Sequence, residues 1–234
     1  LLITADLYDQ AGDSERAIRT YTQYAEAYTL PAADYMEAVF RLAELHAAAG
    51  QTAQQRQWLE KAVSAHDRHA AEATDRMRFL AASAASVLAD DSYRKFLETR
   101  LSLPLNQSLS RKTAAMKETM AAYQAIAGYG VAEFATLAGF RMGDLYAQLS
   151  RDLMASERPA SLSDMEREQY DLLLEEQAYP FEENAIAIHE QNIQKSWNGL
   201  YDQWVRSSFD ALARLLPARY GKSEMKRDVT DVIL

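Results

Sequence analysis

An all-α fold is predicted by three features of this sequence. Only eight glycines and five prolines punctuate its 234 residues, whereas alanine, leucine, glutamate, glutamine and arginine, which lose little on entering a helix, are abundant. Apolar residues recur at three- and four-residue spacing in nearly every run, the period of a helix with one buried face. A short pattern of a small residue, an acid, leucine and a ring also comes back three times, as Ala5-Asp6-Leu7-Tyr8, Ala43-Glu44-Leu45-His46 and Gly143-Asp144-Leu145-Tyr146. In the first two copies a glycine, Gly12 or Gly50, follows the ring by four residues and leads into a second amphipathic run. Each copy therefore reads as a helix, a tight turn and a helix. About ten antiparallel helices stacked in series, without strands, are expected over residues 1–219, and 220–234 form a tail in which Val232, Ile233 and Leu234 are apolar enough to pack.

The first helix is expected over 1–11, with Ile3, Leu7 and Tyr8 apolar and Gly12 as its stop, where left-handed backbone is cheap. Asp13 is placed to cap a second helix over 14–28, whose Ala17, Tyr21, Tyr24 and Tyr28 share a face. Pro31 opens the third helix, where its missing N–H is harmless. Thr52-x-x-Gln55 is a capping-box pattern for the fourth, which closes a unit over about 31–65. An alanine-rich helix over 67–89 follows, then one capped by Asp90 or Asp91 with Tyr93, Phe96 and Leu97 apolar.

Pro104 and Asn106 interrupt the chain before a helix over 107–127, with Leu109, Met116, Met120, Tyr123 and Ile126 on its face and Gly128 and Gly130 at its end. A long helix over 131–155 holds Phe134, Leu137, Met142, Gly143 and Tyr146, and 156–161 is a loop. Ser163-x-x-Glu166 caps a helix to about 178, and Pro180 starts another with Phe181, Ala185 and Ile186 inward. The last helix, 197–217, presents Trp197, Leu200, Tyr201, Trp204, Phe209, Leu212 and Leu216 on an apolar face opposite Asp202, Arg206, Asp210 and Arg214, the form of a terminal capping helix.

Ala5, Tyr8, Gly12, Ala17 and Tyr21, followed by Ala43, His46 and Gly50, resemble the signature of the tetratricopeptide repeat, and Gly143 with Tyr146 forms a third partial copy. The likeness is clear over 1–65 and architectural over 66–219. It departs from the family at Gln55, where alanine is usual, and at Leu59, where a ring is usual. The step from Gly12 to Gly50 is 38 residues, against the family's 34, so degenerate repeats with longer helices are expected. The resemblance implies a superhelix of helix pairs whose concave face binds a protein or peptide, and it makes none of these residues catalytic. The family's peptide-carboxylate clamp of Lys, Asn and Arg has no counterpart on the first and third helices. Tyr179-Pro180-Phe181-Glu182-Glu183 and Pro217-Ala218-Arg219-Tyr220 are similar to tetratricopeptide proteins of the bacterial cell envelope, which implies a periplasmic or envelope setting over a cytoplasmic one. The chain opens at Leu1 inside a repeat and is read as a segment that further repeats precede.

The formal net charge of −9 argues against nucleic acid and anionic lipid as direct partners, since both need a basic face. Acids concentrate in 161–195, nine against two bases, and bases in 206–227, six against two acids; two solvated faces that attract one another are expected. The absence of cysteine excludes disulfides and thiolate metal sites and fits either compartment. No apolar run of membrane-spanning length exists, so direct membrane insertion of this segment is not expected.

Candidate chemistry is sparse. His66, His69 and Glu72 at spacings of three suggest a metal only if a second element supplies fixed geometry; they read as a solvated face. His189-Glu190-Gln191-Asn192-Ile193 begins like a zinc-protease helix but has Ile193 where the second histidine belongs. Glu175, Glu176, Glu182 and Glu183 flank Pro180, and Glu182 and Glu183 read as first-turn acids favoured by a helix dipole. No phosphate loop or nucleophile elbow is present. No cofactor is expected, and the chain reads as a non-enzymatic scaffold for a protein or peptide partner. The alternative is a regulatory domain that encloses a ligand in a closed pocket.

Overall fold

A computed structural model describes residues 1–221, and the apolar Val232-Ile233-Leu234 end lies outside the described residues. Ten α-helices follow in order: α1 (Leu2–Gln10), α2 (Ser14–Ala27), α3 (Ala32–Ala48), α4 (Thr52–Arg68), α5 (Asp75–Glu98), α6 (Leu105–Gly128), α7 (Ala132–Met154), α8 (Asp164–Gln194), α9 (Gln203–Leu215) and α10 (Pro217–Tyr220). Short 3-10 turns lie at Ala70–Glu72 and Lys195–Asn198, and there is no strand among the described residues. The all-α expectation holds.

Each helix packs against the next, as the short connections require. The odd-numbered helices also touch one another, α3 with α5, α5 with α7 and α7 with α9, whereas successive even helices make no contact of that extent. The odd helices thus form one row and the even helices a second row behind it.

The start of the chain folds as its residues dictate. Gly12 and Gly50 adopt φ of +77° and +72°, left-handed values that glycine reaches without a Cβ clash. The Asp13 side chain accepts the Arg16 N–H at 3.1 Å and caps α2. Ala5, Ala17 and Ala43 are buried, and Tyr8 packs half-buried beside them. Because Ala43 has no room around it, Ala43→Leu is expected to overpack this contact and lower stability by about 1 to 3 kcal/mol. Thermal denaturation checks it, and an unchanged midpoint would contradict the packing.

Several boundaries differ from expectation. No capping box forms at Thr52: Gln51 holds the N-cap position, and its side chain pairs with His46 Nδ1 instead. No break occurs at Asp90 or Asp91, because 75–98 contain neither glycine nor proline, and both acids find partners from mid-helix: Asp91 pairs with Arg94 and Arg56, Asp90 with Arg141. Pro180 does not start a helix. It sits exposed inside α8, where the carbonyl left without an N–H partner can face water, and Asn184 Nδ2 donates to the Pro180 carbonyl at 2.7 Å. Glu182 and Glu183 are therefore mid-helix acids, far from a helix N-terminus. Pro180→Ala should restore one backbone hydrogen bond and raise stability by about 1 to 3 kcal/mol; a melting point no higher than that of the parent would refute this.

The final helix is shorter than expected. Gly199, at φ +81°, ends the 3-10 turn, and α9 begins only after Asp202, whose carboxylate accepts the Trp204 and Val205 N–H groups, each at 3.0 Å. Trp197 and Tyr201 consequently fall outside the helix and are 81% and 62% exposed, while Val205, Ser208, Ala211 and Leu212 make the buried face. Trp204 and Phe209 are half-buried. Tyr28 and Leu97, placed on buried faces by spacing alone, are exposed because α2 ends just before Tyr28 and Leu97 turns away from its neighbours.

Buried residues fall into two clusters that meet at α5. Leu80, Ala81 and Ala84 belong to the first, with α1–α4; Ala82, Ala89, Tyr93 and Phe96 belong to the second, with α6–α8. No helix of the described residues is long and apolar enough to cross a membrane.

Candidate functional site

Three arginines pair across successive members of the row of odd helices. Arg41 on α3 binds Asp9 on α1, with Nη2 at 3.0 Å from Oδ1, and Glu44 at 2.7 Å. Arg76 on α5 makes a bidentate pair with Glu37 on α3, at 2.6 and 2.9 Å. Arg141 on α7 reaches Asp90 on α5 at 3.8 Å. Each arginine thus reaches back to an acid on the preceding odd helix. These carboxylates hold the Arg41 and Arg76 guanidinium groups more firmly protonated than usual.

Arg141 is the most elaborate rung. Its guanidinium lies 4.5 Å from the Tyr93 ring centroid and 5.8 Å from that of Trp204, and its Nε has no hydrogen-bond partner. A cation this close to two rings is attracted by their π faces, while its Nε is buried beside them. Tyr93 donates its hydroxyl to Asp144, and Tyr123 donates to Asp90 at 3.4 Å. Burial, then the neighbouring acid, raises the Tyr93 hydroxyl pKa; burial does the same for Tyr123, with Arg141 opposing it. Beside this cluster a hollow of about 240 Å³ opens between α5, α7 and α9, lined by Asp90, Glu133, Arg141 and Trp204 among others. A second, of about 370 Å³, lies between α1 and α3 around Asp6, Asp34, Glu37 and Arg41.

A polar pin fixes α7 against α8 and α9 behind the Arg141 cluster. A Cβ at Gly143 would come within 2.7 Å of the His189 ring, and one at Gly139 within 2.5 Å of the Asn192 amide, so both glycines are required by close approach. Asn192 Nδ2 donates to the Thr136 carbonyl at 3.1 Å and to Ser208 Oγ at 2.9 Å, and Lys195 Nζ donates to the Ala135 carbonyl at 2.8 Å. His189 is fully buried, with Nδ1 at 3.3 Å from Ser208 Oγ and Nε2 unpartnered. Burial pushes its pKa down to about 4; Asp144 opposes that, while Arg214 and Arg151 reinforce it. A depressed folded pKa means that the unfolded chain takes up the proton first, so this contribution is complete above about pH 6.5 and fades as pH falls towards 4. The loss is expected to reach about 3 kcal/mol. Denaturant midpoints at both ends of this window, compared with those of His189→Gln, isolate it; equal slopes would refute it.

The repeat-signature residues divide between the two ends of the row. Ala5, Tyr8, Gly12, Ala17, Tyr21, Ala43, His46 and Gly50 shape the α1–α4 unit; Tyr21 also donates its hydroxyl to Asp6. Gly143 admits His189, and Tyr146 stacks on Phe181 of α8 with centroids 6.4 Å apart. The attraction expected between 161–195 and 206–227 is realised among the described residues at Glu190, which accepts from Arg219 at 2.7 Å and Tyr220 at 2.9 Å. His66, His69 and Glu72 are split between the end of α4 and the following 3-10 turn, and His66 is buried edge-on against Tyr129. Glu175, Glu176, Glu182 and Glu183 are exposed along α8.

Sequence reasoning missed the arginines, although a signal existed. Phe40-Arg41 precedes the second signature copy and Phe140-Arg141 the third, so the recurrence reaches three positions further back than the small-acid-Leu-ring core. No family model matches the sequence, and neither a curated protein nor a solved structure matches it.

Proposed function

We propose that this chain is a non-catalytic scaffold, a tetratricopeptide-like superhelix that holds a protein or peptide partner along its odd-numbered helices. The observation that carries the reading is the arginine-to-acid ladder: three long-range pairs order charged side chains along the row of odd helices, with hollows of about 370 and 240 Å³ beside Arg41 and Arg141. Odd helices that touch while even helices do not would put that ladder on the inner side of a curved stack. Such a face offers a chain in extended or helical form both charged anchors and the half-buried ring of Trp204. A bacterial envelope setting follows from the resemblance of the 179–183 and 217–220 stretches. The shape also speaks against the closed-pocket alternative, since a hollow of about 610 Å³ across α4, α5 and α6 is an open groove, where an enclosing ligand site would bury most of its ligand.

Site-specific photo-crosslinking in the full-length protein tests this reading. A crosslinker at Ser86 or Gln203, which line the Arg141 hollow, should trap a protein or peptide, and Arg141→Ala should reduce the yield without loss of helicity. Crosslinks that arise only from even helices, or a purified chain that retains a bound small molecule in this hollow, would overturn it.

A further inference from the structure

The outer face of α8 is a second surface, independent of the odd row. Gly143 meets His189 and Gly139 meets Asn192, which sets an antiparallel register in which Met154, the last residue of α7, lies level with about Ala178. Asp164, the first residue of α8, therefore lies roughly 21 Å beyond the end of α7, and none of residues 164–173 is buried. Arg158, bonded to Asp171 at 2.7 Å and to the Met154 carbonyl at 2.8 Å, braces this projection.

The projection is not a uniformly polar, solvated helix. Met165, Leu172 and Tyr179 are 71%, 64% and 63% exposed and stand seven residues apart, with Leu173 beside them at 55%. Seven-residue spacing drifts by only ~20° per step on a straight helix, so the three side chains form one stripe. The buried residues Leu174, Ala178, Ala185 and Asn192 lie on the opposite side. Eight acids against one base, Arg167, lie within 164–183, and of the acids only Asp171 has an ion-pair partner among the described residues.

We propose that this stripe docks an amphipathic helix of a partner protein, one with an apolar seam flanked by lysine or arginine. Heptad-spaced apolar residues on an unpartnered helix match the seam of a second helix, and acids on both sides of it select bases at the flanking positions. A second copy of this chain would set the same acids against one another, and an anionic membrane would be repelled, so complementarity favours the basic helix. The scaffold would then have two attachment points, and either can fail without the other, since the odd-row crosslinks do not involve α8.

The test uses the full-length protein and two synthetic three-heptad peptides with leucine at the seam, one with lysine flanks and one with glutamate flanks, followed by fluorescence anisotropy. The lysine peptide should bind and the glutamate peptide should not. Leu172→Ser with Tyr179→Ser, and separately Glu175→Lys with Glu176→Lys, should each weaken binding by about tenfold or more, while Glu118→Lys on α6 should not change it. All of these positions are exposed, and circular dichroism confirms that helicity is kept. Equal binding of both peptides, or affinity unaffected by both α8 variants, would overturn the proposal. Concentration-dependent dimerisation abolished by Leu172→Ser would also overturn it, by assigning the stripe to a second copy.

Discussion

Gly143→Ala should lower stability by about 3 kcal/mol, more than an ordinary core enlargement. The added Cβ would stand 2.7 Å from His189 Cε1 and Nε2, well inside van der Waals contact. The ring cannot swing away, since it is fully buried, 3.3 Å from Ser208 Oγ, and 5.8 Å between centroids from Phe140. α7 and α8 must separate, and the Asn192 bonds to Thr136 and Ser208 lengthen with them. Overpacking usually costs about 1 to 3 kcal/mol, and the loss of buried hydrogen bonds adds to it. Gly143→Ala combined with His189→Ala should recover a good part of the loss. Denaturant unfolding of the three variants checks both statements; a single variant as stable as the parent would show that the helices have slack.

Lys112→Ala should be comparably severe, at about 3 to 5 kcal/mol. Lys112 is almost fully buried on α6, yet its Nζ meets Asp152 on α7 at 2.6 Å and donates to the Phe96 and Thr99 carbonyls at 3.1 and 2.8 Å. One ammonium thereby satisfies the carbonyl end of α5 and ties three helices together; its removal takes away the Asp152 counter-charge and the Thr99 carbonyl's donor, while Gln148 still donates to Asp152 and the Thr99 N–H to the Phe96 carbonyl. Lys112→Met with Asp152→Asn, which leaves no charge behind, should lose less than Lys112→Ala. Calorimetric unfolding distinguishes the two, and equal losses would mean that packing, not charge, is the source.

How much of this was legible in the sequence depended on whether the cause was local. The turns at Gly12 and Gly50, the Asp13 cap and the Ser163–Glu166 capping box, which forms as expected, are set by residues within four positions of one another, and spacing reveals them. The uninterrupted course of α5 and α8 was harder to read: Asp90 looked like a cap because its partner Arg141 is 51 positions away, and Pro180 looked like a start because its exposure inside a long helix cannot be read locally. Trp197 and Tyr201 fitted an apolar stripe on paper, but Gly199 ended the turn before that stripe could form. His189 carried a false signal, the opening of a metalloprotease pattern, while its position against Gly143 had no local signature at all.

The division of α5 between two hydrophobic clusters has a mechanical consequence. Ala81 faces one cluster and Ala82 the other, so neither half of the molecule can melt without stripping one side of a helix that the other half still needs. In a linear array, strong coupling at one junction merges what would otherwise be separate melting steps. Probes placed one in each cluster, near Leu42 and near Leu149, should therefore report a single shared unfolding midpoint, as if the two halves were latched together.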